Sequence, residues 1–129
     1  MRSRMLGSLA AMLMLLLTAP AFADSLLHIW TCKLNDGKTP TDLEEVSSDW
    51  LKAAKGMDGG KDLKVYLDYP VAASAGDGEF RFVLVVTDAK TWGVFNTDYD
   101  TSQAAEVDEA WFDVAHCSSS GLWNTVEIE

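Results

Sequence analysis

Apolar and polar positions change period several times along the chain, and each change marks an element. Residues 26–34 (LLHIWTCKL) are rich in apolar and β-forming side chains and stop at Asn35-Asp36-Gly37, a turn signal, which predicts a first strand. Thr39-Pro40-Thr41-Asp42 then supplies an N-cap, a proline at the first helical position and an acid three residues after the cap. Leu43, Val46, Trp50, Ala53, Ala54 and Met57 recur at helical spacing until the glycines of residues 56–60 stop the helix. Residues 63–71 (LKVYLDYPV) alternate as a second strand, in which Pro70 marks a sheet edge or the strand's end. Residues 72–78 (AASAGDG) have hairpin-loop chemistry, and residues 80–86 (FRFVLVV) form a third strand. The stretch 87–95 (TDAKTWGVF) reads either as an extension of that strand or as a loop carrying Trp92. Several caps in residues 97–102 (TDYDTS) precede a second helix with Ala104, Val107, Trp111 and Val114 on one face, ending near Cys117. A turn at 118–121 and an alternating fourth strand at 122–129 (LWNTVEIE) complete the order βαββαβ.

That order predicts an α+β domain of the ferredoxin-like class, a four-stranded antiparallel sheet with strands arranged 4-1-3-2 and two helices on one face. In this topology the end of the first strand and the end of the second helix meet at one edge of the sheet. Those ends carry Cys32 and Cys117.

The N-terminus carries a different signal. Arg2 and Arg4 precede an apolar run from Met5 to Leu17, and Thr18-Ala19-Pro20-Ala21-Phe22-Ala23 follows, the layout of a secretory signal peptide cleaved after Ala23. The run is short for a membrane span and contains Gly7 and Ser8. Residues 24–129 are therefore expected to form one exported domain, periplasmic or secreted, with no membrane attachment after cleavage. Twenty acidic against ten basic residues give a formal charge of −10, which argues against a nucleic-acid partner. Five Trp, five Phe and three Tyr supply enough bulk for a packed core, which argues against intrinsic disorder.

In an exported chain, an even pair of cysteines predicts one intramolecular disulfide, Cys32 to Cys117. The competing use is a metal site built from His28, Cys32, His116 and Cys117. Four residues of strand separate His28 from Cys32 by about 13 Å, too far to share an ion, and helix neighbours such as His116 and Cys117 point about 100° apart. No metal and no cofactor is expected.

With Cys32 turned toward the helices, Leu26, His28 and Trp30 share that face, and Leu27, Ile29 and Thr31 face away. The third strand divides into Val83 and Val85 on one side and Phe82, Leu84 and Val86 on the other; in the fourth, Trp123 and Thr125 lie opposite Val126 and Ile128. The central strands are apolar on both sides, and two helices cover only one. A second copy of the chain is the economical cover for the other, so a homodimer is expected.

A two-helix ferredoxin-like unit with an apolar open sheet resembles the dimeric α/β-barrel superfamily, whose members pack sheet against sheet and often hold a small ligand between sheet and helices. Residues 30–34 (WTCKL), 36–39 (DGKT), Trp50 and residues 112–117 (FDVAHC) also look like a pattern of exported bacterial proteins without an assigned activity. The first resemblance implies a small oxygenase or haem-handling enzyme as one outcome, using His28 or His116 as base or haem ligand.

Read from the residues, His28 beside Trp30 is a core histidine, and His116 interacts with the last carbonyls of the second helix. Asp98, Asp100, Ser102 and Glu109 fall at positions of a calcium loop, but Gln103 stands where such a loop needs Gly. Helix capping accounts for these residues, and Glu106, Asp108 and Glu109 favourably meet the helix dipole. Trp50 and Trp111 sit at core spacing. His28 and Trp30 are expected to line a small apolar ligand pocket covered by Trp92. The expectation is an exported binding or interaction module without catalysis of its own, self-associating through its sheet.

Overall fold

A computed structural model describes residues 25–128 of the chain, and the predicted export segment lies outside the described residues. Strand β1 (Ser25–Leu34) runs into the Asn35-Asp36 turn, where Gly37 adopts φ +77, a left-handed conformation that glycine reaches without steric cost. Helix α1 (Pro40–Lys55) begins with a capping box: Thr39 Oγ1 accepts from the Asp42 N–H, and Asp42 Oδ2 accepts from the Thr39 N–H at 2.8 Å. Strand β2 (Lys64–Asp68) ends two residues before Pro70 and lies at a sheet edge, where a missing N–H costs no ladder bond. Strand β3 (Glu79–Val86) follows.

The stretch after β3 is neither strand nor loop. It is a helix, α2 (Ala89–Thr97), started by Asp88, whose Oδ1 accepts from the Thr91 N–H at 2.7 Å. A short 3-10 turn (Tyr99–Thr101) leads to helix α3 (Gln103–Val114), capped by Ser102 Oγ accepting from the Ala105 N–H at 3.1 Å.

The last quarter of the chain also differs from expectation. Helix α3 stops at Val114 and passes without a loop into β4 (Ala115–Thr125), so His116 and Cys117 are strand residues and not helix neighbours. The expected turn at 118–121 is also strand, and Val126 and Ile128 lie past its end. Ser118-Ser119-Ser120-Gly121 has turn composition, yet the exposed backbone of β1 offers it a continuous ladder, which outweighs weak strand propensity. A register irregularity between Thr31 and Cys32 takes up one residue of β4.

The sheet order is β2-β3-β1-β4, all neighbours antiparallel. The disulfide joins Cys32 to Cys117, which face one another across β1 and β4. It ties strand to strand rather than strand to helix. On the helix side, Leu26 and Cys32 of β1 meet Phe80, Phe82, Leu84 and Val86 of β3, with Leu43, Trp50 and Ala54 of α1 and Ala104, Trp111 and Val114 of α3 above them. Each fully buried aliphatic side chain there contributes about 2 kcal/mol of apolar transfer. On the other side, Leu27 lies between Val85 and Trp123, and Val83 lies between Ile29 and Tyr66. No helix among the described residues covers this second face, where Tyr66 is 53% and Trp123 60% exposed. No described helix is long and apolar enough to cross a membrane.

Candidate functional site

The space between sheet and helices is not fully filled. A pocket of about 370 Å³ opens there, walled by six aromatic side chains, Trp30, Trp50, Phe82, Tyr99, Trp111 and Phe112, together with Asp108 and Cys117. Its volume falls in the range of small-molecule sites, roughly 300–1,000 Å³. The aromatic walls are held by edge-to-face contacts: Trp30, Trp50 and Trp111 stand at 76°, 88° and 89° to the Phe82 ring, with centroids 5.6–5.7 Å away. Bulky rings meeting at such angles leave a gap that Leu or Ile would close.

Hydrogen bonds fix the walls. Trp111 Nε1 donates to Ser47 Oγ at 3.1 Å, which explains a buried serine at an inward position of α1. Trp50 Nε1 donates to Tyr99 Oη at 2.8 Å, and Tyr99 Oη donates in turn to Asp108 Oδ1 at 2.8 Å. Burial pushes the Tyr99 hydroxyl well above the ordinary phenol range, so it remains a donor. Burial likewise raises the Asp108 carboxyl, against the opposing pull of the Tyr99 and Trp50 donors, and the neighbouring Asp100 adds a like charge. The pocket therefore has apolar walls and one polar end that accepts hydrogen bonds.

Trp30 divides this pocket from a second cluster. His28 stacks on it, with ring centroids 3.6 Å apart and planes at 25°, and Trp92 Nε1 donates to His28 Nδ1 at 3.4 Å. A nitrogen that accepts from an indole carries no proton, so the His28 proton sits on Nε2. Burial lowers the His28 pKa in agreement with this neutral form. Trp92 reaches His28 because α2 lies close against Gly59, whose φ is +75 and where an added Cβ would stand 2.8 Å from the Thr91 carbonyl.

Of the residues expected to line a pocket, Trp30 does so, whereas His28 and Trp92 pack behind it. His116 is exposed on β4, its Nδ1 2.7 Å from Asn35 Oδ1. Asn35 also donates from Nδ2 to the Phe112 carbonyl at 2.8 Å and from its backbone N–H to the Val114 carbonyl at 2.9 Å. It is Asn35, rather than His116, that satisfies the end of α3. The sulfurs of Cys32 and Cys117 are bonded to each other, so the four-residue metal set has no thiolate to offer. Among the described residues, no group of three or more His, Cys, Asp or Glu side chains could hold a metal ion. Ser102 of the calcium-like pattern serves as a helix cap.

Sequence periodicity does not place Tyr99, Asp108 or Phe112 in a pocket, and it assigns Trp50 and Trp111 to core packing. A signal was present for Asp108, which follows Ala104 by four positions and precedes Trp111 by three, placing an acid on the apolar stripe of α3. Tyr99 enters only through the 3-10 turn, which has no periodicity to read.

With this geometry the chain has a ferredoxin-like α+β fold. It is similar to SnoaB, a cofactor-independent oxygenase from Streptomyces nogalater, at 13% identity and a TM-score of 0.56, over 82% of this chain and 97% of that one. It is also similar to a DABB family protein with a ferredoxin-like fold from Mesorhizobium loti, at 14% identity and a TM-score of 0.51, over 82% and 99%. A third similar structure, a dimeric ferredoxin-like protein of unknown function from Thermobifida fusca, has 14% identity and a TM-score of 0.49 over 82% and 93%. No family model and no curated protein sequence matches the chain.

Proposed function

We propose that the protein is an exported binding module that holds a small, largely apolar molecule in the aromatic pocket and pairs with a second copy of itself through the open sheet face. The pocket carries this reading: three indoles and a phenylalanine ring meet edge to face around a space that ends at the Tyr99–Asp108 pair. Apolar walls supply affinity and the single polar end supplies orientation. The disulfide and the apolar N-terminal run support export. The patch of Leu27, Ile29, Val83, Val85, Tyr66 and Trp123 supports self-pairing, since water contact with it is lost when two such sheets meet.

The oxygenase activity of the Streptomyces protein would have to run here without either histidine. His28 lies behind Trp30, and His116 projects from the outer strand.

The reading is tested with N-phenyl-1-naphthylamine, a neutral flat probe bearing one N–H donor. Its fluorescence should rise on mixing with the protein and saturate near one probe per chain. Phe112→Trp, which crowds the pocket mouth at a residue that is 57% exposed, should weaken binding about tenfold while leaving the fold intact by circular dichroism. An unchanged probe signal with the native chain would overturn the ligand-site reading.

A further inference from the structure

Six aromatic rings and one carboxylate converge on the pocket, and among the described residues no cationic side chain lines it with them. No Lys or Arg is among the lining residues. Asp108 accepts the Tyr99 hydroxyl at 2.8 Å, and among the described residues the charged neighbour that acts on it is Asp100, another carboxylate. A half-buried anion facing an apolar space without counter-charge is costly unless something positive arrives to pair with it.

The walls favour the same sign. Aromatic faces carry negative potential, indole most strongly, and three of the rings here are indoles set nearly perpendicular to Phe82. At longer range, twenty acidic against ten basic residues enrich cations around the chain. A neutral guest of the same shape gains the apolar contact but brings Asp108 no counter-charge.

We propose that the natural occupant of the pocket is an organic cation, a quaternary ammonium or protonated amine, with its charge against the indole faces and toward Asp108. This rests on the pocket being a ligand site and goes beyond it by fixing the guest's charge. The cation is expected to bind at least tenfold tighter than its uncharged isostere, a preference that shrinks with added salt as surface-reaching electrostatics are screened.

The experiment is displacement of N-phenyl-1-naphthylamine from the full-length mature protein by choline and, separately, by 3,3-dimethylbutan-1-ol, its carbon isostere. Stronger displacement by choline, with the preference shrinking as salt is added, supports the proposal. Equal displacement by both, or stronger displacement by the alcohol, overturns it and leaves the ligand-site reading standing. A probe that binds and is displaced by neither competitor overturns it in the same way. If the probe itself fails to bind, the pocket reading falls and the cation with it.

Discussion

The two faces of the sheet are made from the same strands one residue out of step, yet they solve the burial of apolar surface in different ways. The helix face carries Trp30, Phe80 and Phe82 beneath Trp50 and Trp111, rings too large and too angular to close-pack, and it keeps a pocket. The open face carries Leu27, Ile29, Val83 and Val85, short aliphatic chains that form a level surface edged by Tyr66 and Trp123. Gly121 sits under the Trp123 indole, where an added Cβ would stand 2.8 Å from Nε1, so this ring lies flat along the surface. Aromatic angularity makes a cavity within the chain, whereas aliphatic flatness leaves an open apolar surface that the proposed pairing would cover.

The largest effect that bears on this comparison is loss of the cross-strand tie. The bridge spans 85 positions of sequence, and replacing both Cys32 and Cys117 by Ser should cost about 4 kcal/mol in urea unfolding. Both faces would loosen together, because β4 contributes Cys117 to one and Trp123 to the other.

Neighbouring residues separate the faces more cleanly. Leu84→Ala removes a side chain that is 2% exposed and should cost about 3 kcal/mol by unfolding. Val85→Asp, one position along and on the opposite face, should leave the pocket's probe binding intact and shift sedimentation from dimer to monomer. If Val85→Asp abolishes probe binding without changing the assembly, the division of labour between the faces is wrong.

A smaller effect tests how α3 is held over the pocket. Ser102→Ala removes the cap whose Oγ accepts from the Ala105 N–H and should cost about 1 kcal/mol, with probe affinity nearly unchanged. Smaller still is the contribution of His28, whose pKa is lowered by burial. A depressed pKa means the unfolded chain takes up the proton first, so stability is complete above 6.5 and is lost as pH falls through the folded-state value. His28→Gln keeps an acceptor for Trp92 and should flatten the pH dependence of the urea midpoint below 6.5.

Most of the fold was legible because its elements announce themselves by period. The α1 capping box, the apolar run of β3 and the edge position of β2 follow from Thr39, residues 80–86 and Pro70. Helix α2 was obscured because Gly93 interrupts it and its nine residues follow an apolar strand directly, although Asp88 stood in the sequence as its cap. The start of β4 was hidden for another reason: serines 118–120 carry no strand preference of their own, and their conformation is imposed by pairing with β1. The site was half legible. Trp30 follows from the period of two along β1, while Tyr99 and Phe112 reach the pocket through a turn and a helix end that periodicity does not place.

The five tryptophans make both faces observable at once, since each indole N–H gives its own nitrogen–proton resonance. In a titration of labelled protein with N-phenyl-1-naphthylamine, we expect the Trp30, Trp50 and Trp111 signals to move together and those of Trp92 and Trp123 to stay nearly fixed. Movement of Trp123 alone, with the three pocket indoles unmoved, would place the guest on the open face and contradict the assignment of ligand binding to the helix side.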